Sequence, residues 1–237
     1  MDSENKQSML TAPVAIVIAG VVIAGAIFYT NGAPRGQQAL VRDAGGVMKE
    51  SGLRAVGTDD HILGNPNATV KIMEFSDLEC PFCKQFHATM LRIIDEYGRD
   101  GKVAWIYKHF PLDQIHPKAR KEAEAAECAN ELGGNEKFWA YIGRLFEITP
   151  SNNGLDLAEL PNIAEFAGLD RGRFEACLES GKYQEKIEND LRAGLQAGAL
   201  GTPYSVAIGP LGEQSVINGA QSYDYVKSVV ESLLAGN

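Results

Sequence analysis

Two cysteines separated by two residues, Cys80-Pro81-Phe82-Cys83, can cycle between dithiol and disulfide with no dissociable cofactor. What they do depends on what holds them. An apolar run at 70–75 precedes them and a helical stretch at 81–97 follows, so the pair falls where a strand gives way to a helix. Proline suits the first helical position, because its missing N–H has no partner to lose there and its fixed φ matches the helix. Cys80 is thereby placed at the N-cap. Unpaired backbone N–H groups and the positive end of the helix dipole favour a thiolate at that point, lowering a pKa that is about 8.5 in free cysteine. Cys80 is expected to be the exposed nucleophile, and Cys83, one turn later and shielded by the helix, the resolving thiol.

Metal binding is the competing use of these residues. Cys83 and His87 are spaced i, i+4 and share a helix face. A closed zinc site needs four ligands, and no second close Cys or His pair occurs, so no metal is expected and His87 belongs on the helix surface. Glu74 is an acid in an otherwise apolar strand, six positions before Cys80. Strand alternation puts Ile72 and Glu74 on one face and Met73 and Phe75 on the other. With helices covering both faces Glu74 is buried, and desolvation raises its pKa towards neutrality, which suits a group that takes the Cys83 proton. At a sheet edge the same carboxylate would reach water.

The stretch 63–84, LGNPNATVKIMEFSDLECPFCK, resembles the active-site region of the DsbA-like thiol:disulfide oxidoreductases, including the Bacillus-type BdbD group. Gly201-Thr202-Pro203, followed by the apolar run 204–208, resembles the cis-proline loop of the thioredoxin superfamily. The resemblance runs from about residue 60 to the C-terminus. It implies a thioredoxin-like α/β fold with a helical insertion at about 112–200. It also implies that the Thr202-Pro203 bond is cis and packs against both cysteines, and that the Thr202 backbone pairs with an extended substrate, with Phe82 beside it. An acid at the place of Glu74 is a family feature. Activity would be disulfide formation in proteins with cysteine thiols, with no cofactor and a DsbB-like quinone-linked membrane protein as re-oxidant. Two alternatives remain. The same residues permit a reductase or isomerase, although 31–60 is too short to resemble the dimerisation domain of the DsbC and DsbG isomerases. A chaperone-like substrate-binding module would not need the thiols at all.

The elements that must position this site follow from pattern. Residues 102–110 form a β-branched and aromatic strand ended by Pro111. Helices are expected at 117–132, 136–147, 156–167, 171–180 and 183–199, punctuated by Gly133-Gly134 and by 150–154. Strands at 204–208 and 214–218 and a last helix at 222–234 close the fold. Trp139, Tyr141, Leu145 and Phe146 recur at helical spacing and belong to the insert core. Cys128 and Cys177, on the first and fourth of these helices, either form a second bridge or are two buried thiols. His109, at a strand end, is expected to be solvated. Asp77 and Glu79 would raise the Cys80 pKa, with Lys84 offsetting them.

The chain has 237 residues, 45% hydrophobic and 22% charged, enough for one sizeable core plus an appendage. A net charge of -9 without a basic cluster argues against nucleic acid. After a tail at 1–9, residues 10–30 are expected to form a transmembrane anchor: no residue from 7 to 34 is charged, and 12–29 nearly span a hydrocarbon core of roughly 30 Å. A cleaved signal peptide is the alternative, with Ala24-Gly25-Ala26 as small residues for cleavage, but Asp2 and Glu4 outnumber Lys6 ahead of it. Residues 31–60 form a tether and 61–237 the thioredoxin-like domain. Counting Lys6 against Arg35, Arg42 and Lys49 favours a cytoplasmic domain. Disulfide chemistry belongs in oxidising compartments, which places the domain instead in the periplasm or at the cell exterior, secreted if the segment is cleaved.

Phe82 lacks the charge with which a histidine between the cysteines stabilises the thiolate in DsbA-like enzymes. The chain should therefore be a weaker oxidant than a Pro-His relative. Phe82→His should lower the Cys80 pKa and shift the disulfide to a more oxidising potential by roughly 30 mV per pKa unit, read by equilibration against glutathione.

Overall fold

The computed structural model describes residues 56–57 and 59–236, so the expected anchor at 10–30 and nearly all of the tether lie outside the described residues. Strand β2 (Val70–Ser76) and strand β3 (Val103–His109) lie parallel. A parallel pair needs a crossover, supplied here by helix α1 (Pro81–Ile93), whose last residues run on into a wider turn at Ile94–Gly98. β4 (Tyr204–Ile208) pairs antiparallel with β2, and β5 (Gln214–Asn218) antiparallel with β4. β1 (His61–Gly64) pairs antiparallel with β3, giving the order β1-β3-β2-β4-β5.

β2 is the central strand, and its chemistry follows from that. Val70 and Ile72 join the larger core with α1, whereas Met73 and Phe75 join a second core with Ile106, Phe110 and Val206. A strand covered on both faces must be apolar almost throughout, which makes the lone acid in it conspicuous. The second face is covered by α5 (Gln184–Gln196) at close range. A Cβ at Gly194 would stand 2.5 Å from a Phe110 ring carbon and 2.9 Å from one of Phe75, so only glycine admits this approach.

Between β3 and β4 the chain is helical, as the resemblance implied. α2 (Ala119–Ile148) is broken at Gly134, whose φ of 73° leaves the helical region, so the Gly133-Gly134 punctuation separates two helical runs. A short turn at Leu157–Glu159, α3 (Leu160–Phe166), α4 (Arg171–Ser180) and α5 follow. The side chains of Asp156, Asp170 and Ser222 cap the 157–159 turn, α4 and the final helix α6 (Tyr223–Leu234). Trp139, Tyr141, Leu145 and Phe146 are buried in the larger core. No helix among the described residues is long and apolar enough to cross a membrane.

β1 was not anticipated. Its four residues carry only two apolar side chains, and polar contacts hold it: His61 bonds Glu127, and Asp60 just before it is ion-paired with Lys108.

Cys128 on α2 and Cys177 on α4 form a disulfide closing a separation of 49 residues. In the chain-entropy model a loop of that size contributes about 4 kcal/mol. The Cys128→Ala/Cys177→Ala protein should lose about that much unfolding free energy in urea, while the alkylation rate of Cys80 stays unchanged.

Candidate active site

Cys80 is the N-cap of α1, in extended conformation (φ -78°, ψ 122°), with Pro81 in the first turn. Both Cys80 and Cys83 are free thiols. Cys80 is only 4% exposed, less than anticipated, and it forms part of the floor of an open groove of about 700 Å³. The Cys80 thiol lies 3.5 Å from the Thr202 carbonyl oxygen, to which it donates, and the Thr202-Pro203 bond is cis as expected. Phe82 stands at the rim, 60% exposed. The sequence reasoning missed most of the groove wall, including Ile115, Leu191, Leu195 and Leu200. The available signal was Leu191 and Leu195, one turn apart on a helix otherwise rich in charge.

The two sulfurs are chemically unlike. The Cys80 pKa is lowered to about 6: hydrogen bonding from the Cys83 thiol is the largest influence, burial opposes it, and Thr202 and the backbone N–H groups of Cys83 and Phe82 add to it. Cys83 is fully buried, and desolvation together with the neighbouring Cys80 sulfur pushes its pKa well up. Its sulfur accepts the Asp77 N–H at 3.4 Å. Glu74 is 1% exposed, and burial raises its carboxyl to about 7, partly offset by Ser76 and Trp105. The expectation of a buried acid near neutrality holds.

Four surface expectations do not. Asp77 and Glu79 are buried, and their carboxylates are taken up by other partners. Asp77 accepts the backbone N–H of Leu112 (2.7 Å) and of Glu79 (2.8 Å) and pairs with His116 (3.0 Å). Glu79 holds the 152–153 loop, accepting the Asn153 N–H on its carboxylate (2.5 Å) and the Asn152 N–H on its carbonyl. Lys84 does not offset them, because its ammonium donates to the Glu147 and Thr149 carbonyls at the C-terminal end of α2. His87 is buried, between Trp105 and Phe146, and desolvation lowers its pKa to about 4. His109 is buried too, 3.0 Å from Glu127.

That last contact belongs to a cluster no local pattern announced. Among the described residues His61, His109 and Glu127 bring metal-ligating atoms within 4.8 Å of one another. Lys186 already stands 3.1 Å from the same Glu127 oxygen, and also pairs with Asp190, which Lys108 contacts in turn. Burial alone would raise the Glu127 pKa, but its histidine partners hold it well below the carboxylate range. The carboxylate of the cluster is thus already paired with a lysine of the protein itself.

A strand–dithiol–helix unit facing a cis-proline loop, with a helical insertion over it, defines the thioredoxin-like class that carries redox cysteines. The sequence matches the thioredoxin family over residues 57–232. DsbA2 of Pseudomonas aeruginosa is similar in structure, with a TM-score of 0.63 and 27% identity over 76% of this chain and 97% of that one. Wolbachia pipientis alpha-DsbA1 matches with a TM-score of 0.65 at 25% identity, over 76% of this chain and 94% of its own. BdbD of Bacillus subtilis shares the fold at a TM-score of 0.65 and 21% identity, over 75% and 94%. The chain belongs to the thioredoxin family, as a DsbA-like member of it. Among curated sequences it is 33% identical over 144 residues to the Na(+)/H(+) antiporter NhaA 3 of Salinispora tropica. That stretch is 61% of this chain and about a fifth (21%) of the antiporter.

Because the Cys83 thiol is the largest influence lowering the Cys80 pKa, Cys83→Ala should move the pH midpoint of Cys80 alkylation upward from about 6. Iodoacetamide rates measured from pH 4 to 9 on both proteins would read the shift.

Proposed function

We propose that this chain catalyses disulfide formation in extracytoplasmic proteins by dithiol–disulfide exchange, with Cys80 as nucleophilic sulfur, Cys83 as resolving thiol and Glu74 as the acid that manages its proton. The observation that carries the reading is the contrast between the two sulfurs, one poised to ionise beside an open apolar groove and the other sealed one turn behind it. In the oxidising direction a substrate thiolate attacks Cys80 of the disulfide form, Cys83 leaves as a thiolate and gains a proton, and a second substrate thiolate releases Cys80. The electron pair passes from two substrate thiols to the enzyme dithiol. In reverse Cys80 attacks, and Cys83 gives its proton to Glu74 as it resolves the mixed disulfide.

Substrates are held, in this reading, by strand-like pairing along Thr202-Pro203, with apolar side chains against Phe82. Re-oxidation by a DsbB-like quinone-linked membrane protein, anchoring through residues 10–30 and a location outside the cytoplasmic membrane complete the proposal. The antiporter name is not carried over, because the matched stretch is a fifth of that protein.

The test uses a reduced peptide with two cysteines and the pre-oxidised full chain. Stoichiometric peptide oxidation that disappears in Cys80→Ser, together with a mixed disulfide that accumulates in Cys83→Ala, is expected. Peptide binding without oxidation, unchanged in Cys80→Ser, would favour the chaperone-like alternative. Faster recovery of a scrambled substrate than of a reduced one would favour the isomerase.

A further inference from the structure

A row of side chains crosses the sheet behind the dithiol. Ser205 on β4, Glu74 on β2, Tyr107 on β3 and His61 on β1 stand in register, strand to strand. Ser76, two residues along β2 from Glu74, shares its face. Glu74, Ser76, Tyr107 and Ser205 are all buried, and Glu74 Oε2, Ser76 Oγ, the Tyr107 hydroxyl and Ser205 Oγ complete no well-formed hydrogen bond within the protein, although Ser76 stands near enough to bear on both Glu74 and Tyr107. Buried polar atoms are almost always bonded, to protein or to ordered water, and several convergent ones at one place hold water where an apolar cavity would stay dry.

We propose that Ser76, Tyr107 and Ser205 hold one water molecule against the Glu74 carboxyl, and that Tyr107 is a positioning residue for the proton Glu74 takes from Cys83. The inference rests on the exchange reaction proposed above and names what its buried acid needs. The step balances: the Glu74 carboxylate takes the Cys83 proton, the Cys83 sulfur attacks Cys80 of the mixed disulfide, the Cys80–Cys83 bond forms and the substrate leaves as a thiolate. Tyr107 can act only as a neutral phenol, because burial, reinforced by Glu74 and Cys83, keeps its own proton bound. Its O–H therefore donates into the cluster and favours the ionised carboxylate. The other groups bearing on Glu74 are Ser76 of β2, Trp105 of β3 and Cys80 at the start of α1, and Glu74 in turn bears on Cys83. The Cys80 sulfur disfavours its charge, and Tyr107 opposes it.

The experiment is an infrared titration of the full-length protein, with the Glu74 carboxyl band assigned by its loss in Glu74→Gln. Tyr107→Phe should raise the Glu74 midpoint by about one unit, a tenfold change in proton affinity, and Ser205→Ala should move it the same way. Release of a trapped Cys80–peptide mixed disulfide at pH 7 should slow several-fold in both, because less of the carboxyl is ionised, while alkylation of Cys80 keeps its rate. An unmoved Glu74 midpoint in Tyr107→Phe overturns the proposal. So does a higher Tm in that variant, the mark of a hydroxyl that had no partner to lose. If the unaltered protein shows no Cys80-dependent exchange, the functional reading fails by itself, and the infrared midpoint still decides the cluster.

Discussion

A sulfur anion that is almost sealed from water must be solvated by the protein, and at Cys80 that solvation comes from the first turn of α1. Burial raises the Cys80 pKa, while the donors around it (the Cys83 thiol and the N–H groups of Phe82 and Cys83) help to lower it by more. The rest of the site follows from this balance. The helix has to begin at Cys80, which Pro81 in the first turn accommodates, and β2 has to end just before it at the centre of the sheet. The cis-proline loop closes the other side. Moving one helical turn inward reverses the outcome, because Cys83 keeps the burial and gains a negative neighbour. A single turn of helix therefore separates a group that ionises readily from one that must be helped.

Acids close to a thiolate would oppose it, and two lie within three residues of Cys80. The structure gives both carboxylates backbone N–H partners away from the sulfur, two for Asp77 and one for Glu79. Asp77 caps its own turn and ties down Leu112 and His116, while Glu79 fastens the loop containing Ser151, Asn152 and Asn153. Those three residues all have positive φ, between 53° and 64°, a conformation costing roughly 1 kcal/mol or more for a side chain with a Cβ. The loop holds that shape because Glu79 accepts from it twice, and Asn152 thereby reaches the groove beside Cys80. The negative charge next to the nucleophile is used to build the wall of its groove.

The sequence was informative wherever geometry is local. Pro after Cys80, the alternation of β2 and the Gly133-Gly134 break each act within a few residues, and each element they mark is present. The cis Thr202-Pro203 bond and the helical insertion came from family resemblance. Polar residues with distant partners were illegible. His109 and His61 meet Glu127 across 18 and 66 residues, Lys84 reaches Thr149 across 65, and His87 fits between two aromatic rings contributed by β3 and α2. A charged or imidazole side chain is assigned to solvent by default, because burying it unpaired is costly. Only the fold reveals the partners that remove the cost. β1 escaped for the same reason, since a His–Glu bond and an ion pair hold it more than an apolar pattern does.

Three buried glutamates show how far neighbours outweigh residue type. Glu127 lies among His61, His109 and Lys186 and stays ionised, its pKa well below the carboxylate range. Glu122 has only Lys118 to oppose its burial and shares space with Glu79, so its carboxyl is pushed up to about 9 and keeps its proton. Neither changes charge near neutral pH. Glu74 falls between them at about 7, desolvated but with Ser76 and Trp105 favouring its charge, and it alone of the three bears on the Cys83 thiol. A group that must accept a proton and return it within each cycle works best when its two states are close in free energy. Burial beside neutral donors supplies that condition at Glu74, whereas the two histidines and Lys186 around Glu127 and the second carboxyl beside Glu122 remove it.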